Sequence, residues 1–238
     1  MNRPEEAPNI DLLSYGNYHQ AVQWVDREAS KTDSCVSENL FFTLHKLCMK
    51  GVLPREETGY YRRDNVRIVQ AIVTPPDYSR VPELMKLYIT DYQKKLEGCR
   101  EMPQTIRISE AVDLMAWGHY IFTRIHPFSD GNGRVTRLCC DFLCRKFDLR
   151  PIIWPKDREV YLNALSSVDK SGNLDNLGLM MAKLIRFRYD HKRSGLTFFD
   201  VIEELEKIIN EKSLSVSEQA SVEDFDKIWR GFTHPCFT

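Results

Sequence analysis

Residues 126–137 read His-Pro-Phe-Ser-Asp-Gly-Asn-Gly-Arg-Val-Thr-Arg, and apolar residues with helical spacing lie on both sides of them. The spacing predicts one helix over residues 109–125 and a second over residues 133–147. Ser109 is the expected N-cap of the first helix. The string is therefore predicted to form the corner between two consecutive helices, with His126 at the end of the first.

The glycine-rich centre of this corner has the composition of an anion-binding turn. Gly131 and Gly133 flank Asn132, and glycine tolerates the positive φ that brings successive backbone N–H groups to one side. The same residues begin the second helix, whose N-terminus carries the positive end of the helix dipole. Arg134 and Arg137 lie three residues apart on the first turn, so both can donate hydrogen bonds to phosphate oxygens.

Two further residues extend the chemistry beyond anion binding. Asp130 would repel a polyphosphate unless a hard cation lay between them, so it predicts Mg²⁺ with Asp130 as a ligand. His126 has an ordinary pKa near neutrality and is the candidate general base for an incoming hydroxyl. A base, a metal ligand, an anion site and two arginines together predict group transfer from a Mg²⁺-bound nucleotide to a hydroxyl.

The alternative is a helix corner in which Gly-Asn-Gly is only a tight turn. That is the better interpretation of a lone Gly-Asn-Gly. Here nine positions are specified, and at about one in twenty per position the probability of a chance match is on the order of 10⁻¹².

The string resembles the signature of the Fic family, His-Pro-Phe-x-(Asp/Glu)-Gly-Asn-Gly-Arg-x-x-Arg. Other short segments are similar to the same family: Leu44-His45-Lys46, Gly59-Tyr60-Tyr61-Arg62, Val66-Arg67-Ile68, Pro75-Pro76, Val81-Pro82, Leu84-Met85, Arg158-Glu159-Val160-Tyr161-Leu162 and Ser171-Gly172-Asn173-Leu174-Asp175.

The resemblance implies a mainly α fold, a Fic-type helical bundle with a small β-hairpin flap near the active site. Alternating and β-branched residues over about 59–73 predict the hairpin or extended flap. The implied organisation is an N-terminal tail over 1–9, a Fic domain over 10–192 and a C-terminal helical extension over 193–238. Helical spacing is also present over residues 10–31, 36–49, 81–96, 157–168, 175–190 and 197–212.

The activity that the resemblance implies is protein AMPylation, in which AMP moves from ATP to a Ser, Thr or Tyr hydroxyl of a target protein and pyrophosphate leaves. His126 would deprotonate the hydroxyl, and Asp130 would hold Mg²⁺ on the phosphates. Residues 131–133 would bind the phosphates, while Arg134 and Arg137 would offset charge on the β- and γ-phosphates. ATP is then the substrate and Mg²⁺ the cofactor.

The target protein is expected to dock along the flap by adding its backbone as a strand. By position, six residues are assigned to the nucleotide pocket: Ile68, Val69, Gln70, Ala71, Tyr161 and Leu162. The alternatives are a hairpin that only stabilises the core and a Tyr-Leu pair that only packs between helices.

Gly133 stands where the kinase branch of the family carries a bulkier basic residue, so it favours AMP transfer over phosphate transfer. Transfer of UMP or phosphocholine and a catalytically silent interaction module remain alternatives.

Many family members carry an inhibitory helix with the pattern (Ser/Thr)-x-x-x-Glu-(Gly/Asn), whose glutamate pairs with the second arginine, here Arg137. Residues 34–39 match the letters, with Glu38 as the glutamate. They lie too close to the Leu-His pair for the inhibitory position, so a helix start capped by Ser34 or Ser37 is favoured. We therefore expect an enzyme without an internal inhibitor, or one restrained by a separate antitoxin-like protein.

Composition excludes several other classes of protein. The chain has 33 Lys and Arg against 34 Asp and Glu, a balance that argues against a general nucleic-acid binder or a polybasic membrane-surface protein. The seven cysteines contain no CxxC pair, which favours a reducing compartment. Cys139, Cys140 and Cys144 are expected to be buried apolar side chains rather than zinc ligands. No apolar stretch suits a signal peptide or a membrane span, so we expect a cytoplasmic protein, or one exported without a recognisable signal.

Overall fold

A computed structural model describes residues 9–68, 71–155 and 158–194 of the chain. The prediction of a mainly helical chain is confirmed, because these residues form seven α-helices and one short 3₁₀ helix over Tyr78–Arg80. The α-helices are α1 (Ile10–Ala29), α2 (Glu38–Met49), α3 (Val81–Glu101), α4 (Gln104–Ile125), α5 (Asn132–Lys146), α6 (Arg158–Ser171) and α7 (Asp175–Ser194). None of the helices in the described ranges is long and apolar enough to cross a bilayer.

Helices α4 and α5 form the centre of the bundle. Helix α4 packs against α3, α5 and α7, and α5 also packs against α1 and α2. Every residue from Leu138 to Cys144 is buried, which a helix surrounded by other helices requires. The corner between these two central helices is the segment 126–131, so the string predicted to carry the chemistry connects the two helices at the centre of the bundle.

Local capping explains where two of the helices begin. Asn9 caps α1, with its side chain accepting hydrogen bonds from the amides of Asp11 and Leu12. Ser37 caps α2 by accepting a hydrogen bond from the amide of Leu40. Each cap satisfies an amide that would otherwise lack an intrahelical partner.

The predicted N-cap of α4 was wrong. The helix begins at Gln104, after Pro103, and the Ser109 hydroxyl donates to the Ile106 carbonyl oxygen at 2.8 Å, within the helix. The side chains of Ile106 and Ile108 are exposed, so the first turns of α4 do not show the apolar stripe on which the prediction depended.

The structure corrects the predicted β-hairpin as far as the described residues go. Residues 59–68 and 71–73 contain no strand; residues 69–70 lie outside the described ranges. Side chains hold this segment in place of a ladder: Asn65 donates from Nδ2 to Asp77 Oδ2 at 2.9 Å and accepts at Oδ1 from the Tyr78 amide at 2.9 Å. We call residues 65–77 the flap loop. Its ends meet through these bonds, so no strand pairing is needed to close it.

Most of both predicted terminal segments lies outside the described residues. The structure describes neither residues 1–8 of the predicted tail nor the predicted helix over 197–212. The domain boundaries drawn from the sequence therefore stay predictions.

Candidate active site

The loop between α4 and α5 turns sharply at both of its ends. His126 caps α4 in the left-handed region, with φ 51° and ψ 60°, which is uncommon for a residue with a Cβ atom. Gly131 caps the start of α5 with φ 80°. A Cβ atom on Gly131 would lie 2.7 Å from Met49 Sδ, so both the backbone conformation and the packing require glycine there.

Donors from two other parts of the chain, Arg62 and His45, hold the carbonyl groups of this loop. Arg62 donates from Nε to the His126 carbonyl oxygen at 2.8 Å, and its amide donates to the Pro127 carbonyl oxygen at 2.9 Å. His45 Nε2 lies 3.0 Å from the Asp130 carbonyl oxygen. The left-handed turn at His126, which costs conformational energy, is therefore over-determined by its surroundings.

Asn132 closes the loop from the inside. Its Oδ1 accepts from the Phe128 amide at 2.9 Å, and its Nδ2 donates to the Phe128 carbonyl oxygen at 2.8 Å. The side chain is 2% exposed. The Asn132 side chain thus shapes the loop, and what remains of this residue for a phosphate is its backbone amide.

Sequence reasoning assigned no function to His45, yet its ring connects three parts of the site. Nδ1 accepts from the Gly59 amide at 2.7 Å, so Nε2 carries the proton and donates to Asp130. The ring stacks on Phe128 with centroids 3.9 Å apart and an interplanar angle of 7°. Burial lowers the pKa of His45 to about 4, so the neutral form that these bonds require is the stable one near pH 7. Its partners are 14 and 85 residues away, and no local pattern indicates them.

The geometry of His126 suits a base. Its Nδ1 lies 3.1 Å from the Thr123 carbonyl oxygen, so Nδ1 carries the proton, and Nε2 has a lone pair to which no described residue donates. Burial lowers the pKa of His126, and the positive charges of Arg62 and Arg124 lower it further. The hydrogen bond to Thr123 raises this pKa but does not reverse the shift. The neutral ring, which can accept a proton, is favoured near pH 7.

A buried ion pair anchors the last turn of α4, just before His126. Arg124 donates from Nε and from its terminal nitrogen to the two carboxylate oxygens of Asp169 in α6, at 2.7 and 2.8 Å. The Tyr120 hydroxyl also donates to Asp169, at 2.8 Å. The side chains of Arg124 and Asp169 are 3% and 0% exposed, so this two-point contact fixes α4 against α6 away from solvent.

Asp130 is the exposed acidic residue of the loop. One of its oxygens accepts from the Gly131 amide at 2.6 Å, and the other pairs with Arg134 at 3.0 Å, with the Asp130 side chain 61% exposed. No group of three or more metal-binding side chains occurs among the described residues. A single exposed carboxylate fits a Mg²⁺ ion that brings phosphate oxygens and water as its other ligands, and does not fit a metal held by protein alone.

The N-terminus of α5 presents free donors beside this carboxylate. Within the described ranges, the amides of Asn132 and Gly133 donate to no acceptor, whereas those of Arg134 and residue 135 bond to the Gly131 carbonyl oxygen. Arg137 forms no ion pair with a described residue, and its guanidinium lies 6.0 Å from the centre of the Tyr161 ring. Two open amides and a free arginine at a helix N-terminus form an anion-binding corner.

The residues predicted to line the nucleotide pocket divide into two groups. Tyr161 lies beneath Arg137, is 7% exposed, and its hydroxyl is 2.9 Å from His119 Nε2; Leu162 follows it and packs against the core. Ile68 and Ala71 are partly buried and are joined by a hydrogen bond from the Ala71 amide to the Ile68 carbonyl oxygen at 3.3 Å. Val69 and Gln70 lie outside the described residues. The structure therefore brings Tyr161 to Arg137 of α5, and the flap part of the predicted pocket stays a prediction.

Known proteins share sequence and fold with this chain around the corner between α4 and α5. The Fic/DOC family matches residues 35–144, from the approach to α2 through most of α5. Residues 35–144 of the chain are therefore similar to a Fic domain. Solved structures share the fold: a Fic domain containing signaling protein from Bacteroides thetaiotaomicron has a TM-score of 0.60 and 20% identity, covering 92% of this chain and 79% of that one. Fic-1 (residues 134–508) from C. elegans has a TM-score of 0.52 and 18% identity, covering 90% of this chain and 56% of that one.

Two named adenylyltransferases are similar to this chain in sequence, at low identity. A probable protein adenylyltransferase from Aquifex aeolicus is 26% identical over 171 residues, which cover 70% of this chain and 48% of that protein. The protein adenylyltransferase Fic of Drosophila erecta is 32% identical over 115 residues, covering 48% of this chain and 21% of that protein. The chain therefore spans about half, or less, of the length of these relatives.

The segment that matches the inhibitory pattern, residues 34–39, is a helix start, as predicted. Ser37 caps α2 and Glu38 occupies its first turn. The Glu38 carboxylate accepts a hydrogen bond from the Tyr61 hydroxyl at 2.8 Å and makes no ion pair with Arg137. This glutamate holds the segment before the flap loop and leaves the anion-binding corner open.

The cysteines of α5 lie inside the bundle, as predicted. Cys139, Cys140 and Cys144 are between 0% and 3% exposed, and burial raises the pKa of each thiol. They act as small apolar side chains of the core. His119 lies in the same core, where it is 1% exposed and stacks on Trp154.

Proposed function

We propose that this Fic domain is a protein adenylyltransferase that moves AMP from ATP to a Ser, Thr or Tyr hydroxyl of a target protein. The observation that carries the proposal is the corner between α4 and α5. It combines a base with a free Nε2 atom, His126, with the open amides of Asn132 and Gly133 and the free guanidinium of Arg137. The names of the relatives, protein adenylyltransferases, support it further.

The reaction uses His126 as the general base. The target oxygen attacks the α-phosphorus of ATP, its proton passes to His126 Nε2, and the bond from the α-phosphorus to the bridging oxygen breaks as pyrophosphate leaves. The bond between Nδ1 and the Thr123 carbonyl oxygen keeps the ring in the tautomer that can accept this proton. Burial lowers the pKa of His126 and so keeps it unprotonated before the reaction.

The remaining groups stabilise negative charge. The amides at the start of α5 would bind the phosphates of ATP, and Arg134 and Arg137 would offset the charge that develops on the departing pyrophosphate. Asp130 would hold Mg²⁺, which supplies positive charge at the phosphates when bound. Arg134 already pairs with Asp130, so in the proposed complex it exchanges a carboxylate partner for a phosphate partner.

The identity of the transferred group is supported by Gly133. A Cβ atom at this position would lie 3.8 Å from a terminal nitrogen of Arg137. A longer basic side chain would therefore place a second positive charge beside this arginine, as the phosphate-transferring branch is expected to do. Transfer of UMP or phosphocholine uses the same corner and differs only in the pocket for the rest of the donor.

The target protein would dock along the predicted flap over residues 59–73. The described part of this flap has no strand partner of its own, so its backbone is available to an added strand. This mode of docking reads the target backbone more than its sequence.

The test is transfer of label from ATP in the presence of Mg²⁺. The wild type is compared with His126→Ala and with His19→Ala. His19 is a suitable control because it is exposed on α1 and, among the described residues, bonds only to Gln23. We expect label in the wild type and in the control, and none with His126→Ala. Equal labelling of wild type and His126→Ala would refute the role of this histidine. The mass added to the modified protein distinguishes AMP from UMP, phosphocholine and phosphate.

A further inference from the structure

Arg62 is a buried cation at the junction between the flap loop and the active-site loop. The residue is 5% exposed, and its guanidinium donates in three directions to backbone carbonyl oxygens. It forms no ion pair in the part of the chain that the structure describes. A buried charge whose hydrogen-bond acceptors are all neutral is costly. Burial lowers the pKa of Arg62, and the negative charge of Asp77 partly opposes that effect. Such a position calls for an explanation beyond simple packing.

The three acceptors come from two separate loops. Nε donates to the His126 carbonyl oxygen at 2.8 Å, in the active-site loop. The terminal nitrogens donate to the carbonyl oxygens of Asp64 at 2.8 Å and Pro76 at 2.5 Å. Asp64 immediately precedes the flap loop, and Pro76 lies near its end. One rigid planar group therefore bonds both ends of the flap loop and the residue that carries the proposed base.

A second contact closes the flap loop beside Arg62. Asn65 and Asp77 bond to each other at 2.9 Å, and both side chains are exposed. Because Asn65 follows Asp64 and Asp77 follows Pro76, the neck of the loop is joined by two layers of hydrogen bonds. The outer layer is Asn65 with Asp77, and the inner layer is the Arg62 guanidinium, which continues to His126.

We propose that Arg62 is a positioning residue that couples the neck of the flap loop to the catalytic His126. This inference rests on the proposed function, since it joins the segment that would hold the target to the base that would deprotonate it. A change at the neck is transmitted through the guanidinium to the His126 carbonyl group. The left-handed turn at His126 makes the ring position sensitive to that bond, because this conformation persists only where its surroundings impose it.

Arg62→Lys tests the coupling and keeps the charge. A lysine ammonium has its three donors on one atom and cannot reproduce the fork that spans the His126 and Pro76 carbonyl oxygens. Arg63→Lys is the matched control, the same change at the adjacent and exposed position. Asn65→Ala is the second variant. It loosens the outer layer of the neck without altering Arg62 or any residue that contacts His126.

The first measurement is hydrogen exchange of backbone amides, which does not depend on transfer activity. The Phe128 amide donates to Asn132 Oδ1 and therefore reports on the active-site loop, residues 126–131. We expect Arg62→Lys and Asn65→Ala to raise exchange in residues 62–77 and in residues 126–131 together, by about 10-fold or more. Arg63→Lys is expected to behave as the wild type.

The second measurement is the rate at which the chain labels itself from ATP. We expect Arg62→Lys to lower the limiting rate by about 10- to 100-fold, because misplacement by about 1 Å has an effect of that size. The ATP concentration for half the limiting rate should change by less than about 3-fold, since Arg62 lies outside the anion-binding corner. A purely structural role would lower the melting temperature and leave the limiting rate of the folded enzyme unchanged.

Two results would overturn the coupling. In one, exchange rises in residues 62–77 while residues 126–131 exchange as in the wild type. In the other, Arg62→Lys labels itself at the wild-type rate. If the wild type and His126→Ala do not differ in labelling, the proposed function fails, and the exchange data still decide whether the two loops are coupled.

Discussion

His45 makes the stability of this protein dependent on pH in a range that can be measured. In the unfolded chain a histidine takes up a proton near its ordinary pKa of 6.5, whereas burial lowers the pKa of folded His45 to about 4. The folded state therefore binds fewer protons between these values. The stabilisation is present above pH 6.5 and is lost as the pH falls towards 4. At 1.36 kcal/mol per unit, the difference is about 3 kcal/mol at pH 4.

The comparison that isolates this effect is His45→Gln. Glutamine has an acceptor for the Gly59 amide and a donor for the Asp130 carbonyl oxygen, and it does not titrate. We expect the variant to be less stable than the wild type at pH 7, because the stack on Phe128 is lost. Between pH 7 and pH 4 the wild type should lose about 3 kcal/mol more than the variant.

The assay is urea unfolding followed by tryptophan fluorescence at several pH values. Other groups, such as the buried His119 with a pKa lowered to about 3, contribute equally to both proteins and cancel in the difference. His19→Gln, an exposed histidine, serves as the control and should follow the wild type. Parallel curves for wild type and His45→Gln would refute the assignment of the neutral, doubly bonded ring to His45.

Three further predictions concern the arginines and carboxylates of the site. Arg137→Ala should lower AMP transfer about 100-fold or more. It should change the free energy of unfolding by less than about 1 kcal/mol, because Arg137 pairs with no described carboxylate. A loss of activity that tracks a loss of stability would contradict this prediction. Glu38→Gly should leave the rate of self-labelling within about 2-fold of wild type, because Glu38 bonds to Tyr61 and not to Arg137. A many-fold rise in that rate would show that Glu38 is inhibitory. Asp169→Asn should lower the free energy of unfolding by about 3–5 kcal/mol, since the substitution leaves the buried Arg124 without its charged partner. Urea unfolding measures this change, and a loss of less than about 1 kcal/mol would be inconsistent with burial of the pair.

Most helices were predictable because their information is local. The predicted helix over 133–147 is observed as Asn132–Lys146, and the helix start at Ser37 is observed with its cap. Apolar periodicity and capping residues act over one or two turns, so a single stretch of sequence is enough. The prediction at Ser109 failed because exposed Ile106 and Ile108 hid the boundary of α4.

The flap loop shows where local pattern was insufficient. β-branched residues and alternation predicted a hairpin, yet the described residues are closed by Arg62 and by the pair of Asn65 with Asp77. Strand propensity describes how a residue fits a sheet that already exists. It does not report whether a partner strand is present.

The sequence by itself determined the order of the helices, the corner between α4 and α5 and the chemical types gathered there, because spacing, capping and glycine act between near neighbours. The tertiary structure alone decided how that corner is held. Arg62 reaches the carbonyl oxygen of His126, 64 residues away, and His45 reaches that of Asp130, 85 residues away. Such contacts depend on which helices pack together, and each satisfies a partly buried carbonyl group whose position has no signature in the chain around it.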